Sequence, residues 1–300
     1  MSFSPDGLTL VLISLLAAVV NGALGYGFSS ITVPVALILY TNRILNPALV
    51  PVEIVVNCYV LFINRASLPS VSKRVFPVLL GLVPGILAGS YLLSSVNPGW
   101  IKLATYTTLL PLILLQAAGI RRPIRSERAL AVPFGTGIGF LYSVTTISGP
   151  PMALLFNNQG LVKQEFRAAL AMIRVGESCL TAMAYYSLGL FSHQTRDILS
   201  LIIPSVLIGI PVGSFLIRQL NPETFRRICM SFDVWVVGFG LSKDLGSMHF
   251  IDPILAFSVL LGAILVDSWL LYRFFRKSRP MPEPSERVPL SSKNLVKKEH

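Results

Sequence analysis

Two short stretches of this chain are suited to holding a charged ligand without being charged themselves. The first runs Asn21-Gly-Ala-Leu-Gly25-Tyr-Gly27-Phe-Ser29-Ser30 and closes at Pro34; the second runs Tyr142-Ser143-Val-Thr145-Thr146-Ile-Ser148-Gly149-Pro150-Pro151. Glycine permits backbone geometries that other residues avoid, and proline removes a donor and breaks a helix. A break inside a long apolar run frees backbone N–H groups, and the half-helix after it presents the positive end of its dipole. Ser29, Ser30, Thr145, Thr146 and Ser148 add neutral hydroxyls. With Gly25, Gly27, Gly149 and Pro150, this chemistry suits a small anion. The competing reading is that glycine and proline serve only kinks and close packing, both common in membrane helices. Recurrence of the two breaks at matched positions favours the binding reading.

Charged residues within apolar runs are costly and often functional. Arg174 and Glu177 stand i, i+3 on one helix and so share a face. Arg174 is a candidate counter-charge for the anion, with Glu177 its partner or a proton-linked carboxylate; a structural ion pair between helices is an equal alternative. Glu53, with Asn57 one turn later, is a second candidate for proton coupling or a packing acceptor. Asp233 and Asp267 read as interface or packing residues, and Arg43 and Arg167 as interfacial anchors at helix starts. Asn157 and Asn158 follow the second break and are weaker candidates, as caps.

The elements that must position these groups are membrane helices. Of 300 residues 53% are hydrophobic and 13% charged, and the mean hydropathy is +0.68, whereas a soluble domain carries roughly 25% charged residues. The apolar residues come in runs, at 8–20, 76–93, 103–118, 198–217 and 254–271, that approach the ~20 residues needed to cross a bilayer as helix. Backbone groups in lipid must be satisfied internally, so such runs are helical; the short alternating segments of a β-barrel are absent from the sequence. The net charge of +11 sits in short loops and the tail, as in cytoplasmic loops beside anionic lipid, so no nucleic-acid partner is expected. The N-terminus reads as a retained first segment, not a cleaved signal.

Self-comparison divides the chain into two halves. Gly22 falls on Gly139 and Pro34-Val-Ala-Leu37 on Pro151-Met-Ala-Leu154, an offset of 117 (151 − 34). Gly85-Ile-Leu-Ala-Gly89-Ser-Tyr-Leu-Leu93 falls on Gly209-Ile-Pro-Val-Gly213-Ser-Phe-Leu-Ile217, and Asn97-Pro98 on Asn221-Pro222, an offset of 124 (209 − 85). The second offset also pairs Arg43 with Arg167 and Glu53 with Glu177. The GxxxG glycines read as packing faces. Each half is then a broken, hairpin-like segment (about 8–40 and 129–157) plus three spans (about 47–64, 75–95, 100–118; then 166–190, 197–218, 224–242), with one extra C-terminal helix at about 251–272. The expected division is 1–120, 121–243, 244–275 and a basic cytoplasmic tail at 276–300.

Lys/Arg bias orients these spans. The loop with Arg65, Lys73 and Arg74, the loop with Arg121, Arg122, Arg125 and Arg128, and the tail from Arg273 belong inside. The Asn97-Pro98 loop is then outside, while Asn221-Pro222, flanked by Arg218, Arg226 and Arg227, is inside. Equivalent loops on opposite faces imply an inverted repeat, a transporter feature with substrate at the midplane.

Gly22–Pro34, and above all Ser148-Gly-Pro-Pro-Met-Ala-Leu-Leu followed by Gly160-Leu-Val-Lys-Gln-Glu-Phe-Arg167-Ala, resemble the sulfite exporter TauE/SafE family over roughly residues 8–242. Where that family commonly carries Gly-x-Gly-Gly-Gly, this chain has Gly25-Tyr-Gly27-Phe-Ser-Ser30. The resemblance implies a membrane transporter of small anions, often sulfite, thiosulfate or organosulfonates.

No enzyme constellation is present in the sequence. His193, His249 and His300 lack metal-ligand spacing, Cys58, Cys179 and Cys229 lack CxxC spacing, and neither a Gly-x-Ser-x-Gly nor a Walker A motif occurs. No cofactor or metal is expected. The rival classes are an ion channel, for which Gly25-Tyr26-Gly27 resembles part of a potassium filter, and a membrane scaffold. The expectation is an all-α polytopic plasma-membrane protein, at the inner membrane if bacterial. It moves a small anion by alternating access, with protons as a candidate coupling ion. The oligomeric state is not written in the sequence.

Overall fold

The computed structural model describes residues 5–24, 27–119, 127–149, 151–152, 163–216 and 222–277. Among the described residues ten α-helices and no strands occur: α1 (Pro5–Leu24), α2 (Phe28–Ala36), α3 (Asn42–Ile63), α4 (Leu68–Ser95), α5 (Pro98–Ala117), α6 (Glu127–Thr145), α7 (Lys163–Ser187), α8 (His193–Leu216), α9 (Pro222–Ser247) and α10 (Pro253–Lys277). Six of them, α1, α3, α4 (counted with the 3-10 turn before it), α5, α8 and α10, are long and apolar enough to cross a membrane. Large apolar side chains such as Leu12, Leu80, Leu207 and Leu261 are exposed on their outer faces, which is the surface a hydrocarbon solvent requires.

α7 and α9 are counted as spans by the repeat but do not meet the same hydropathy measure. α7 carries Arg174 and Glu177, and α9 carries Arg227, Asp233 and Asp244, all of them buried against other helices. Their polar groups face protein, which is where a membrane protein can keep them. Several helices also begin earlier than the apolar runs indicate. α3 starts at Asn42, ahead of Pro47, and includes Pro51 as well. Proline inside a membrane helix is tolerated where neighbours satisfy the freed backbone groups.

The packing follows the glycines. α1 lies along α8, and α6 lies along α4. A Cβ added to Gly213 would collide with the Val19 carbonyl of α1, and one added to Gly22 of α1 would collide with the Ile210 carbonyl. In the other pair, a Cβ on Gly85 of α4 would meet the Thr136 carbonyl of α6 and one on Gly139 the backbone of Leu82. Each broken first helix is therefore in backbone contact with the GxxxG helix from the opposite half of the sequence. Lipid supplies no hydrophobic drive for helix association, so this close approach is what van der Waals packing needs.

Two further devices fix the helix ends. Asn97 caps α5, its side chain accepting from the Gly99 N–H at 2.9 Å, with Pro98 in the first turn. Arg43 is no free interfacial anchor. Its guanidinium donates to the carbonyls of Leu93 (3.1 Å), Ser94 (2.5 Å) and Val96 (3.0 Å), satisfying the last carbonyls of α4.

Candidate functional site

Both breaks are present in the backbone. α1 stops at Leu24, Gly27 takes φ of 104°, and α2 starts at Phe28. This left-handed geometry is open to glycine at no steric cost. α6 stops at Thr145, Thr146 takes φ of 56°, and a new helical turn opens where the Met152 N–H donates to the Ser148 carbonyl at 3.2 Å. A β-branched residue in that region is strained, and such strain persists only where the surroundings over-determine it.

The surroundings do so here. The Val144 carbonyl, freed at the end of α6, accepts from Asn46 Nδ2 at 2.7 Å and from Asn42 Nδ2 at 3.2 Å. The Ser143 carbonyl accepts from the Tyr185 hydroxyl at 2.5 Å. In α2, the Pro34 carbonyl accepts from the Tyr106 hydroxyl at 2.8 Å. Non-helical backbone at membrane depth needs such donors from neighbouring helices.

The two glutamates tie the breaks to the long helices behind them. The Ser29 hydroxyl, at the start of α2, donates to Glu53 Oε1 of α3. The Ser148 hydroxyl donates to Glu177 Oε2 of α7 at 2.7 Å. Each half thus joins the serine after its break to its own glutamate. Tyr142 crosses between halves: its hydroxyl donates to Glu53 Oε2 at 2.5 Å and lies 2.9 Å from Ser178 Oγ. Removing that donor with Tyr142→Phe leaves a buried carboxylate short of a partner, a loss of about 1.5–3 kcal/mol for a charge-assisted bond. The expected result is a lower thermal midpoint in detergent, with Glu53→Gln and Tyr142→Phe non-additive when combined. Additive effects would show that the two side chains do not act as one unit.

Arg174 and Glu177 do not form the ion pair that their spacing suggests. Arg174 is 4% exposed and its Nε has no partner. Among the described residues it has no ion pair within 4 Å, but its charge acts on both buried glutamates, Glu53 and Glu177. Glu177 instead takes the Ser148 hydroxyl, because the second break arrives closer to it than the guanidinium does. The guanidinium points at Gly149: a Cβ built there would stand 3.2 Å from Arg174 Nη2 and 3.7 Å from Ser30 Oγ. One point in space is therefore bordered by the first break, the second break and a buried cation.

Of the hydroxyls assigned to the site, most are already engaged. Ser29 and Ser148 hold the glutamates, Thr145 Oγ1 donates to Leu141 O at 2.8 Å, and Thr146 Oγ1 donates to Thr145 O at 2.7 Å. Ser30, half-buried, makes no hydrogen bond among the described residues and is the hydroxyl left for a ligand. Gly25 and Pro150 lie outside the described residues, as do Asn157 and Asn158.

Two cavities adjoin this point. A small one of about 30 Å³ has Gly27, Ser30, Gly149 and Asp233 in its wall. A wider vestibule of about 540 Å³ is bordered by three arginines, Arg226, Arg227 and Arg273, and one acid, Glu223. Gln116, Arg226 and Met230 line both, so the vestibule opens toward the breaks. Asp267 is not part of either cavity: it pairs with Arg227 at 2.8 Å and accepts from Ser231 at 3.2 Å, a packing contact between α9 and α10. Asp233 stands in the wall of the small cavity; in the sequence it is a lone acid within the apolar stretch Met230–Val237.

Residues 10–242 match the family model described as sulfite exporter TauE/SafE. Neither a curated protein nor a solved structure matches the chain.

Proposed function

Because this chain belongs to the sulfite exporter TauE/SafE family, a family of membrane transporters, we propose that it is a secondary transporter of a small anion, sulfite or a related sulfur oxyanion, organosulfonate or organic acid. The observation that carries this reading is Arg174, a buried guanidinium whose Nε has no partner, set against Gly149 and Ser30. An ion in that position would receive a forked, charge-assisted set of donors together with one hydroxyl.

The architecture we propose is two inverted repeats, 1–120 and 121–243, followed by an additional helix at 244–275 and a cytoplasmic tail at 276–300. The support is the reciprocal packing of α1 on α8 and α6 on α4, and the parallel joining of Ser29 to Glu53 and Ser148 to Glu177. Alternating access follows as one half rocks against the other about the site. With the loop at Asn221-Pro222 inside, the arginine-bordered vestibule faces the cytoplasm, and its positive field gathers anions for the inner site.

The test is flux into proteoliposomes with sulfite and thiosulfate as probes. Saturable, gradient-driven uptake is expected. Gly149→Ala, which sets a methyl group between Arg174 and Ser30, raises the half-saturating concentration roughly tenfold or more, the effect of displacing one or two hydrogen bonds to a charged ligand. Unitary currents, or no flux of either anion, would overturn the reading.

A further inference from the structure

Resting on that reading, we infer that Asp233 is the proton-carrying group of the transporter, and that anion and proton cross the membrane together in the same direction.

Asp233 shares burial and an unpartnered carboxylate oxygen with Glu177, Asp244 and Asp267, and two observations separate it from them. Among the described residues it makes no hydrogen bond or ion pair, whereas each of the others makes at least one. It stands in the wall of the small cavity, which it shares with Ser30 and Gly149, the residues that border the Arg174 point. Glu53 and Glu177 are absent from that wall and are engaged by Ser29, Tyr142 and Ser148. Both Glu53 oxygens are engaged, and Glu177 keeps a free Oε1 but stands outside the cavity wall, whereas Asp233 faces the cavity and can gain or lose a proton without breaking a protein hydrogen bond.

The groups that face Asp233 set its electrostatics. On its own helix are Arg226 and Cys229, which also line the cavity. α1, α2 and α5 present Val20, Leu24, Ser30, Ile31, Ile113 and Gln116, none of which titrates. α10 carries Asp267, already paired with Arg227, and Arg273, which borders the vestibule. On α5, Lys102 pairs with Asp244 at 3.4 Å, three helical turns further along α9. Arg174 lies across Gly149. No fixed cation is therefore paired with Asp233. With mostly apolar walls, a volume of about 30 Å³ and no group of three or more His, Cys, Asp or Glu side chains among the described residues, the cavity suits a proton better than a metal cation.

An ionised Asp233 and a bound anion would be like charges across one small, poorly solvated space, so each disfavours the other. Protonation removes the repulsion. The carboxylate takes a proton from the compartment to which the vestibule opens, forming the neutral acid as the anion binds. On the opposite side the anion leaves, the O–H bond breaks, and the proton is released to that compartment. By linkage, anion affinity falls as pH rises through the titration of Asp233, and protonation tightens as the anion binds.

The experiment uses the full-length protein with sulfite and thiosulfate as probes. Binding measured in detergent from pH 5.5 to 8.5 should weaken roughly tenfold or more in wild type, a coupling typical of linked sites. Asp233→Asn should bind with an affinity that varies only as the probe's own protonation dictates, and Asp233→Glu should restore the wild-type slope. In proteoliposomes loaded with a pH-sensitive dye, inward anion flux through wild type should acidify the lumen. That measurement stands whether or not the asparagine variant folds. Equal pH slopes in wild type and Asp233→Asn, or anion flux without proton movement, would overturn this inference and leave the transport reading intact. Absence of anion binding and flux in wild type would overturn both.

Discussion

Arg174→Ala is expected to weaken anion binding by roughly 10- to 100-fold, the loss of 1.5–3 kcal/mol that charge-assisted hydrogen bonds supply. The thermal midpoint of the ligand-free protein should fall only modestly, because the guanidinium, at 4% exposure, has no ion pair within 4 Å to lose, although its charge acts on Glu53 and Glu177. Arg174→Lys retains the charge but not the planar fork, so it should recover only part of the affinity. Titration with sulfite and thiosulfate, followed by intrinsic tryptophan fluorescence, measures the first effect, and scanning fluorimetry the second. The opposite pattern, a sharply falling midpoint with affinity retained, is what a structural ion pair would produce, and it would remove Arg174 from the site.

Gly213→Ala and Gly85→Ala should be the most damaging single changes to the fold. At each, the new methyl group lands on a backbone carbonyl of the facing helix, that of Val19 or Thr136. A carbonyl on a helix cannot rotate aside like a side chain, so the helices must separate along the whole contact. Overpacking of this kind usually costs about 1–3 kcal/mol; here a loss of at least ~3 kcal/mol is expected, since the obstacle is rigid. Gly137→Ala is the internal control, because nothing lies within 4 Å of its Cβ position. Alanine there should be neutral or stabilise α6 by up to about 1 kcal/mol through helix propensity. Folded yield and thermal midpoint in detergent measure both. Equal tolerance at Gly85, Gly213 and Gly137 would show that the close helix contacts are not those described.

How far the site was legible depends on the range over which each residue acts. The breaks were visible because Gly27, Ser148 and Gly149 govern backbone geometry locally, and the positive φ values at Gly27 and Thr146 fall within the predicted stretches. The GxxxG glycines were visible as packing faces, but their partners were not. That α8 would meet α1, and α4 would meet α6, depends on which helix the chain brings alongside. The i, i+3 spacing of Arg174 and Glu177 pointed to a pair that the fold declines to make, since Ser148 reaches Glu177 from another segment. Asp233 was assigned to packing because a lone acid in an apolar run carries no mark of what will face it.

The features that opened the sequence reading, two Gly/Pro breaks in a chain of membrane helices, were determined by the sequence itself, as was membership of a transporter family. Run length, glycine freedom and proline's missing donor act within a few residues and need no tertiary context. Tertiary structure alone decided that Ser30, Gly149 and Arg174 border one point, that Glu53 and Glu177 each hold the serine of a break, and that Asp233 stands in the wall of the cavity beside them. Those outcomes rest on contacts between residues far apart in sequence, whose energies depend on distance and burial, quantities that exist only once the helices have packed.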